Sequence, residues 1–168
     1  MFQKGDYIVY RNTGVCHVAD ISTRENFAVD GTEQLYYHLV PVHGAGTIYI
    51  PVDSPVFMRP VISKEQAHAL IASIPQMEQK PDYSKNQKAL AEKYRTILHT
   101  HDCTALVQMI LNISKKTAIL EAQGKHVGKT DLQYMKQAKD FLKEELAIAL
   151  EIPYDEVMDY VKQQIKLA

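Results

Sequence analysis

Apolar residues change their spacing near residue 60 of this chain. Before that point they recur at every second position, in runs that begin at Tyr7, Val15, Leu35 and Ile48. A period of two is typical of β-strands, whereas the three- and four-residue spacing that follows is typical of amphipathic helices. The chain is therefore predicted to be α+β, with a strand-rich module at 1–60 and a helical module at 61–168.

Residues that favour turns separate the strand runs of the first module. They are Gly5-Asp6, Asn12-Thr13-Gly14, Asp30-Gly31, Gly44-Ala45-Gly46 and Asp53-Ser54-Pro55. Glycine tolerates a positive φ angle, and asparagine and aspartate bond to nearby backbone groups, so such clusters favour tight connections. About five short strands joined in this way predict a small SH3/Tudor-like antiparallel β-barrel. The alternating set in the first two strands is Tyr7, Val9, Val15, His17, Ala19 and Ile21.

Capping residues divide the second module into five predicted helices. Ser63 with Gln66 forms a capping box for the first helix, which Pro75 ends. Asp82 is predicted to cap a helix from Tyr83 to His99, Asp102 one from Cys103 to Gln123 with Gly124 as its C-cap, and Thr130 with Gln133 one from Asp131 to Leu150. Pro153 opens a last, acidic helix from about Tyr154 to Lys166.

Apolar stripes at helical spacing predict the core of a helical bundle. One stripe consists of Leu106, Met109, Ile110, Ile113 and Leu120, and the next of Leu132, Met135, Phe141, Leu142, Leu146 and Leu150. The last helix is expected to pack on the bundle through Val157, Tyr160, Val161 and Ile165.

Composition and motifs favour a non-enzymatic, cytoplasmic protein. The 168 residues are 46% apolar, and no stretch approaches the length of a membrane span or a secretory signal. Neither a nucleophile elbow nor a glycine-rich phosphate loop occurs. Cys16 and Cys103 are far apart and are expected to be reduced thiols. No fourth ligand lies near His99, His101 and Cys103 in the sequence, so we expect no metal. We also expect no cofactor and no small-molecule substrate.

The formal net charge of −1 hides an uneven distribution. Residues 80–95 carry five basic side chains against two acidic ones, and residues 115–143 carry seven lysines against three acids. Residues 1–60 have six acids against four bases, and residues 144–168 have six acids against two lysines. Two basic segments that fold side by side could neutralise phosphates and give weak, salt-dependent, largely sequence-independent duplex binding. A solvated lysine face is the alternative for the same pattern.

Short motifs occur in a consistent order along the chain. They are Phe2, Gly5-Asp6, Val9-Tyr10, Gly14, Val18, Ile21, Tyr36-Tyr37, Leu39, Ile50-Pro51 and Arg59, followed by Leu98 to Ile113, Gly128 to Asp131, Ala138-Lys139 and Glu145 to Ala147. In these motifs residues 1 to about 150 resemble the CarD/CdnL family of bacterial transcription regulators. The N-terminal module of that family is shared with the polymerase-interaction domain of transcription-repair coupling factor.

The resemblance implies a non-enzymatic factor with two contacts that modulates the stability of the open promoter complex. The first module would dock on the RNA polymerase β subunit, and the second would touch DNA at the upstream edge of the promoter bubble. The predicted polymerase-binding residues are Arg24, Tyr49, Ile48 and Ile50. The implied DNA contact is Tyr83, and the basic segments add Lys85, Lys88, Lys125, Lys129 and Lys136 as predicted DNA-binding residues. Such a factor would be associated with the nucleoid through polymerase.

Tyr83 occupies the position at which the family places an aromatic wedge at the start of a helix. The family usually has tryptophan there, and this chain contains none. Without the resemblance, Tyr83 would be interpreted as a helix-entry residue that packs on the bundle, and Arg24 and Tyr49 as solvated edge-strand residues. A protein-interaction module that binds polymerase or another partner without DNA contact is therefore the main alternative, and an enzyme with a cleft between the modules is a third.

Overall fold

The computed structural model describes residues 1–24 and 33–167, so the predicted Asp30-Gly31 turn lies outside the described residues. The chain forms two compact units, one of residues Met1–Val61 and one that begins at Ile62. The first is a sheet and the second is helical, which confirms the predicted α+β class.

Five antiparallel strands form the sheet of the first unit. They are β1 (Tyr7–Tyr10), β2 (Gly14–Thr23), β3 (Leu35–Pro41), β4 (Ile48–Pro51) and β5 (Met58–Pro60), in the order β4-β3-β2-β1-β5. Within the described residues β4 and β5 do not pair, so the sheet is open and the closed barrel expected from the sequence is not formed. Pro51 and Pro60 lie in these two short edge strands, and proline lacks the N–H that further pairing needs.

The core of the sheet uses a different set of residues from the alternating set seen in the sequence. It consists of Ile8, Tyr10, Cys16, Val18, Tyr37, Leu39 and Ile50. In β1 and early β2 the core residues lie one position away from the alternating ones. Val9 and Val15, on the other face, are also buried, which masks the alternation. A β-bulge between Val18 and Asp20 shifts the register, and Ile21, a member of the alternating set, packs against the core.

Five α-helices and two short 3₁₀ turns form the second unit. The helices are α1 (Lys64–Ser73), α2 (Gln87–His99), α3 (Cys103–Ala122), α4 (Lys129–Leu150) and α5 (Val157–Leu167); the 3₁₀ turns are Ile74–Gln76 and Tyr154–Glu156. Contacts of α4 with α1, α2, α3 and α5 make it the central helix.

Local capping chemistry accounts for several of these boundaries. The Ser63 and Gln66 side chains and backbones bond reciprocally at 3.0 and 2.8 Å, which confirms the predicted capping box of α1. Asp102 Oδ1 accepts from the Thr104 N–H at the start of α3. At its end Gly124 has a φ of 71°, and the Lys125 N–H donates to the Leu120 carbonyl at 2.8 Å. This pattern is a Schellman motif, as expected for a glycine C-cap.

The start of α4 differs from the prediction. Gly128 is its N-cap and makes no side-chain cap, whereas Thr130 already lies inside the helix. The buried face of α4 includes Asp131, Tyr134 and Ala138. Leu132, predicted to be in the core, is 53% exposed because it is turned away from that face. The core positions Leu106, Met109, Ile110 and Ile113 of α3 are buried as predicted.

The last helix, α5, packs on the bundle; the acids Asp155 and Glu156 of the predicted acidic helix lie in the 3₁₀ turn before it. Val157 and Val161 are buried, as the sequence predicted, and Ile165 lines an apolar cavity of about 120 Å³ with residues of α1, α3 and α4. Burial of this apolar face stabilises the C-terminal end of the second unit.

Candidate functional site

Arg24 and Tyr49 lie together on the side of the sheet opposite its core. Tyr49 is in β4 and is 40% exposed, and the guanidinium carbon of Arg24 lies 3.8 Å from the centre of its ring. A guanidinium this close to an aromatic face makes a cation–π contact. The structure therefore brings together two residues that the sequence assigned to one docking surface.

His38 completes this surface. It lies opposite Tyr49 in the β3–β4 ladder, and the two ring centres are 4.7 Å apart in an edge-to-face arrangement. Ser22 Oγ lies 2.8 Å from His38 Nε2 and fixes the orientation of that ring. Arg24, His38 and Tyr49 together form the Arg24 cluster. Sequence reasoning missed His38, because only the cross-strand register shows that it faces Tyr49.

Ile48 and Ile50, the other two predicted docking residues, support Tyr49 from the opposite side of β4. Ile50 is buried in the sheet core and Ile48 packs against that core. The Val52 N–H donates to the Leu35 carbonyl, so these two residues form a hydrogen-bonded pair. Hydrogen-bonded and non-hydrogen-bonded pairs alternate along an antiparallel ladder, so the backbone groups of Ile50 and Ile48 also point toward β3. Their part in a docking surface is therefore to position Tyr49.

Tyr83 does not begin a helix, contrary to the sequence prediction. α2 begins at Gln87, and the cap is Asn86, whose Oδ1 accepts from the Ala89 N–H at 3.1 Å. The Asp82 carboxylate accepts from the Ser84 N–H at 2.9 Å and pairs with Lys93, but no helix follows it directly. Lys85 therefore precedes the helix that contains Lys88, and the two do not share a helical face.

Three side chains of the bundle hold the irregular stretch 77–86, the Tyr83 segment, in place. Gln108 of α3 donates to the Glu78 carbonyl at 2.5 Å, and Asn112 of α3 accepts from the Lys80 N–H at 2.8 Å. Lys93 of α2 bonds to Asp82 at 2.7 Å. These contacts anchor the segment on both helices, so the position of Tyr83 is defined although it lies outside regular structure.

The Tyr83 ring is half exposed and lies above a buried charge. Lys116 Nζ is 5.9 Å from the ring centre, within the range of a cation–π contact. This lysine is buried and forms an ion pair of 2.9 Å with Asp131, which is buried as well. The group beneath the exposed ring is therefore a buried ion pair.

Tyr94 satisfies the remaining oxygen of Asp131. Its hydroxyl donates to Asp131 Oδ1 at 2.5 Å, so the carboxylate has a partner on each oxygen. Burial, followed by this hydrogen bond to a carboxylate, raises the pKa of Tyr94 well above its usual range. Lys116, Asp131 and Tyr94 form the Asp131 network, which links α2, α3 and α4 beneath Tyr83.

Sequence reasoning missed this network although two signals were present. Lys116 lies three residues after Ile113 of the α3 stripe, and Asp131 lies three before Tyr134 of the buried α4 face. A lysine and an aspartate that interrupt two facing apolar stripes indicate a buried pair. Asp131 is also the predicted first residue of its helix and one of the three acids of the 115–143 segment, which hid the second signal.

Most predicted DNA-binding lysines lie at one end of the bundle. The starts of α2 and α4 are adjacent, because Gly128 at the start of α4 lies beside Gln87 at the start of α2. A Cβ atom built on Gly128 would be 3.8 Å from Gln87 Oε1. The exposed residues Lys85, Lys88 and Lys129 flank these two starts, and Lys125 lies in the α3–α4 connection at the same end. Two parallel helix starts add partial positive charge to this end, which favours phosphate.

Other basic residues are engaged with acids and add less to a phosphate-binding surface. Lys136 is about two turns into α4 and pairs with Asp140 at 2.7 Å. Lys93 pairs with Asp82, and Lys80 lies 3.1 Å from Glu78. The charge excess counted along the sequence therefore overstates the potential of the folded surface.

Acid is expected to release the Tyr83 segment. The hydrogen bond from Lys93, then that from the Ser84 N–H, lowers the pKa of Asp82. A lowered folded-state pKa means that this stabilisation is complete above the unfolded-state pKa, about 3.9, and is lost as pH falls through the folded value. An NMR titration of the Asp82 carboxyl carbon measures this midpoint. Lys93→Met should move it upward, and an unchanged midpoint would show that the ion pair does not hold the segment.

Within residues 1–24 and 33–167, no group of three or more histidine, cysteine, aspartate or glutamate side chains is arranged to hold a metal ion. Cys103 Sγ instead lies 3.1 Å from Glu145 Oε1, and the other oxygen of Glu145 accepts from the Ile62 N–H. Among the helices so described, none combines the length and the apolarity needed to cross a bilayer.

Comparison with known families supports the resemblance for the first unit. Residues 2–62 match the family model of the CarD-like/TRCF RID domain. This range contains the whole sheet and the Arg24 cluster, and the match relates the first unit to domains that interact with RNA polymerase. No curated protein matches the chain. The family match ends where the helical unit begins, so the resemblance of the helices stays a prediction.

Proposed function

We propose that this protein is a non-enzymatic regulator of transcription initiation that docks on the β subunit of RNA polymerase. The observation that carries the proposal is the match of residues 2–62 to an RNA polymerase-interacting family, with the exposed Tyr49 and the stacked Arg24 on that module. A planar guanidinium stacked on a tyrosine presents both charge and apolar area, a combination common at the centre of protein interfaces. Both proposed contacts require binding alone, without catalysis.

The second proposed contact is with DNA at the upstream edge of the promoter bubble. Tyr83 is half exposed on an anchored segment, and the lysines at the starts of α2 and α4 face the same end of the bundle. Apolar wedges of this kind insert where base steps are partly unstacked, and lysines beside them contact flanking phosphates. Such a contact would stabilise the open complex, and about 1.4 kcal/mol would lengthen its lifetime tenfold.

The proposed polymerase contact is tested by titrating the purified full chain against a β-subunit fragment that contains the protrusion and lobe. Saturable binding in the micromolar range supports the proposal. Absence of binding at high micromolar concentration, with a folded fragment, would mean that the domain has another partner. The proposed location, in the cytoplasm at the nucleoid, follows from the polymerase contact alone.

Tyr83→Ala is expected to shorten the open-complex lifetime to that without the factor, while binding to the β fragment is unchanged. The reason is that the ring supplies the proposed wedge, whereas the Arg24 cluster supplies the proposed polymerase contact. A competitor-challenge assay measures the lifetime. Tyr7→Ala, which removes an exposed tyrosine of the first unit, is the matched control and should behave as wild type. Equal lifetimes for wild type and Tyr83→Ala would refute the wedge.

Charge reversal at Lys85 and Lys88 together is expected to weaken association with promoter DNA more at low salt than at high salt. Both side chains are exposed, and screening reduces exposed phosphate contacts as ionic strength rises. The matched control reverses the exposed Lys162 and Lys166 of α5, which lie outside the proposed surface. Fluorescence anisotropy at several salt concentrations gives the slopes. A loss of equal size at every salt concentration would contradict a phosphate contact.

A polymerase-binding module without DNA contact is the second candidate. The position of Tyr83 outside α2 favours it, because the family resemblance places the wedge at a helix start. The absence of tryptophan points the same way. Footprinting on promoter DNA in the presence of polymerase separates the two candidates, because protection upstream of the bubble is expected only if the helical unit reaches the duplex.

A further inference from the structure

A cleft of about 150 Å³ opens between α2, α3 and the Tyr83 segment. Ile97 of α2 and Ala105 and Met109 of α3 give it an apolar wall. A cavity of about this volume accepts a single six-membered ring. The cleft adjoins Asp82, the residue before the proposed wedge, so a ring held here would lie close to the proposed DNA contact.

The charges around the cleft disfavour an anionic ligand. Lys93 is paired with Asp82 at 2.7 Å, and Lys80 lies 3.1 Å from Glu78. An anion would have to displace a carboxylate from one of these lysines, whereas a neutral ring would leave both pairs intact. The local electrostatics therefore select a neutral, flat molecule.

Two side-chain amides give the cleft a hydrogen-bonding edge. Gln108 Nε2 donates both to the Glu78 carbonyl and to Asn112 Oδ1, and Asn112 Oδ1 also accepts from the Lys80 N–H. Within the described residues, these hydrogen bonds involve neither the acceptor Gln108 Oε1 nor the donor Asn112 Nδ2. An acceptor and a donor on neighbouring amides match the alternating groups on the edge of a pyrimidine or purine ring.

We propose that the cleft binds one unstacked nucleobase, most favourably a pyrimidine, from the DNA strand that the Tyr83 segment contacts. This inference rests on the proposed DNA contact and assigns it a base-binding subsite. Extruding a base costs free energy, least where the strand is already unpaired, as at the edge of a bubble. Burial against Ile97 and Met109, with hydrogen bonds to the amides, offsets that cost.

The test compares two forked duplexes that differ only at the first unpaired position, which carries a thymine or an abasic site. For the full-length wild-type chain, we expect the abasic fork to bind about fivefold to tenfold more weakly. Ala105→Leu fills the cleft and should bind both forks with the weaker affinity. Thr104→Leu, which adds the same side chain at an exposed neighbouring position, is the control and should retain the discrimination.

The outcomes separate this inference from the proposed function. Equal binding of the two forks by wild type, with the effect of the Lys85 and Lys88 reversals intact, would overturn the base subsite and leave the DNA contact standing. No binding of either fork would overturn both. The methyl signal of Met109 provides a measurement that needs no cleft variant: a shift with the thymine fork and none with the abasic fork is expected, and identical spectra would refute the subsite.

Discussion

Changing Arg24 to glutamate is expected to weaken binding of the full chain to the β-subunit fragment by at least about tenfold. The substitution removes a guanidinium that lies 3.8 Å from the centre of the Tyr49 ring and places a carboxylate on the same surface. Interface arginines that combine charge with stacking commonly contribute more than 1 kcal/mol each. Isothermal titration calorimetry gives the affinity directly. The far-UV spectrum should not change, because Arg24 lies beyond the end of β2.

Two matched variants identify the cause of this loss. Arg24→Lys retains the charge but not the planar stack, so an intermediate affinity is expected. Arg59→Glu makes the same charge reversal in β5, at the other edge of the sheet, and should leave binding near wild type. If both reversals weaken binding equally, the effect is one of net charge and the Arg24 cluster is not the docking surface.

His38 should influence this interface although it was not recognised from the sequence. Its ring packs edge-to-face on Tyr49 and is itself held by Ser22, so it restricts the orientation of the tyrosine. A ring that is held before binding loses less conformational entropy on docking. The cluster therefore combines a charged group, Arg24, an aromatic surface, Tyr49, and a supporting ring, His38. Only the first two could be identified from the sequence.

Strand positions in the first unit could be predicted because turn residues mark the ends of each strand. The buried face could not, because Val9 and Val15 are buried on one side of the sheet while Ile8 and Cys16 are buried on the other. Alternation of apolar and polar residues does not identify the core face where both faces of a strand are covered. The bulge near Asp20 also shifts the register, and this shift is visible only in the pairing of β2 with β3.

Helix starts were predictable where a local capping bond is followed directly by a helix. Ser63 and Asp102 cap α1 and α3 because their side chains bond to N–H groups two or three residues ahead. Asp82 makes the same bond to the Ser84 N–H, and Lys93, eleven residues away, holds its other oxygen, yet no helix begins before Gln87. Asn86 then caps α2 in its place. The location of Tyr83 thus depends on a tertiary contact that local rules do not contain.

Asp131→Asn is expected to lower the free energy of unfolding of the full chain by about 3 kcal/mol or more. The asparagine can still accept a hydrogen bond from the Tyr94 hydroxyl, but its amide nitrogen would face Lys116 Nζ, now 2.9 Å from a carboxylate oxygen. Lys116 would then be a buried cation without a counter-ion. Urea unfolding followed by far-UV circular dichroism measures the loss.

The same substitution at an exposed pair of the same helix is the control. Asp140 pairs with Lys136 at 2.7 Å in α4, where the side chains are 41% and 79% exposed, and an asparagine there can still accept from the Tyr154 hydroxyl. Exposed pairs of this kind are worth less than about 1 kcal/mol, so Asp140→Asn should change stability little. Similar losses for the two variants would mean that burial of the Asp131 network does not determine its energetic contribution.

Lys116→Met combined with Asp131→Asn should recover more than half of the lost stability, because the unpaired charge is gone and Tyr94 keeps its acceptor. This double variant also removes the cation 5.9 Å from the Tyr83 ring. If that contact helps to orient the ring, the double variant will be stable yet will extend the open-complex lifetime less than wild type. If its effect on lifetime equals that of wild type, the hydrogen bonds from Gln108, Asn112 and Lys93 suffice to position Tyr83. The comparison therefore separates the structural role of the buried network from its role beneath the proposed wedge.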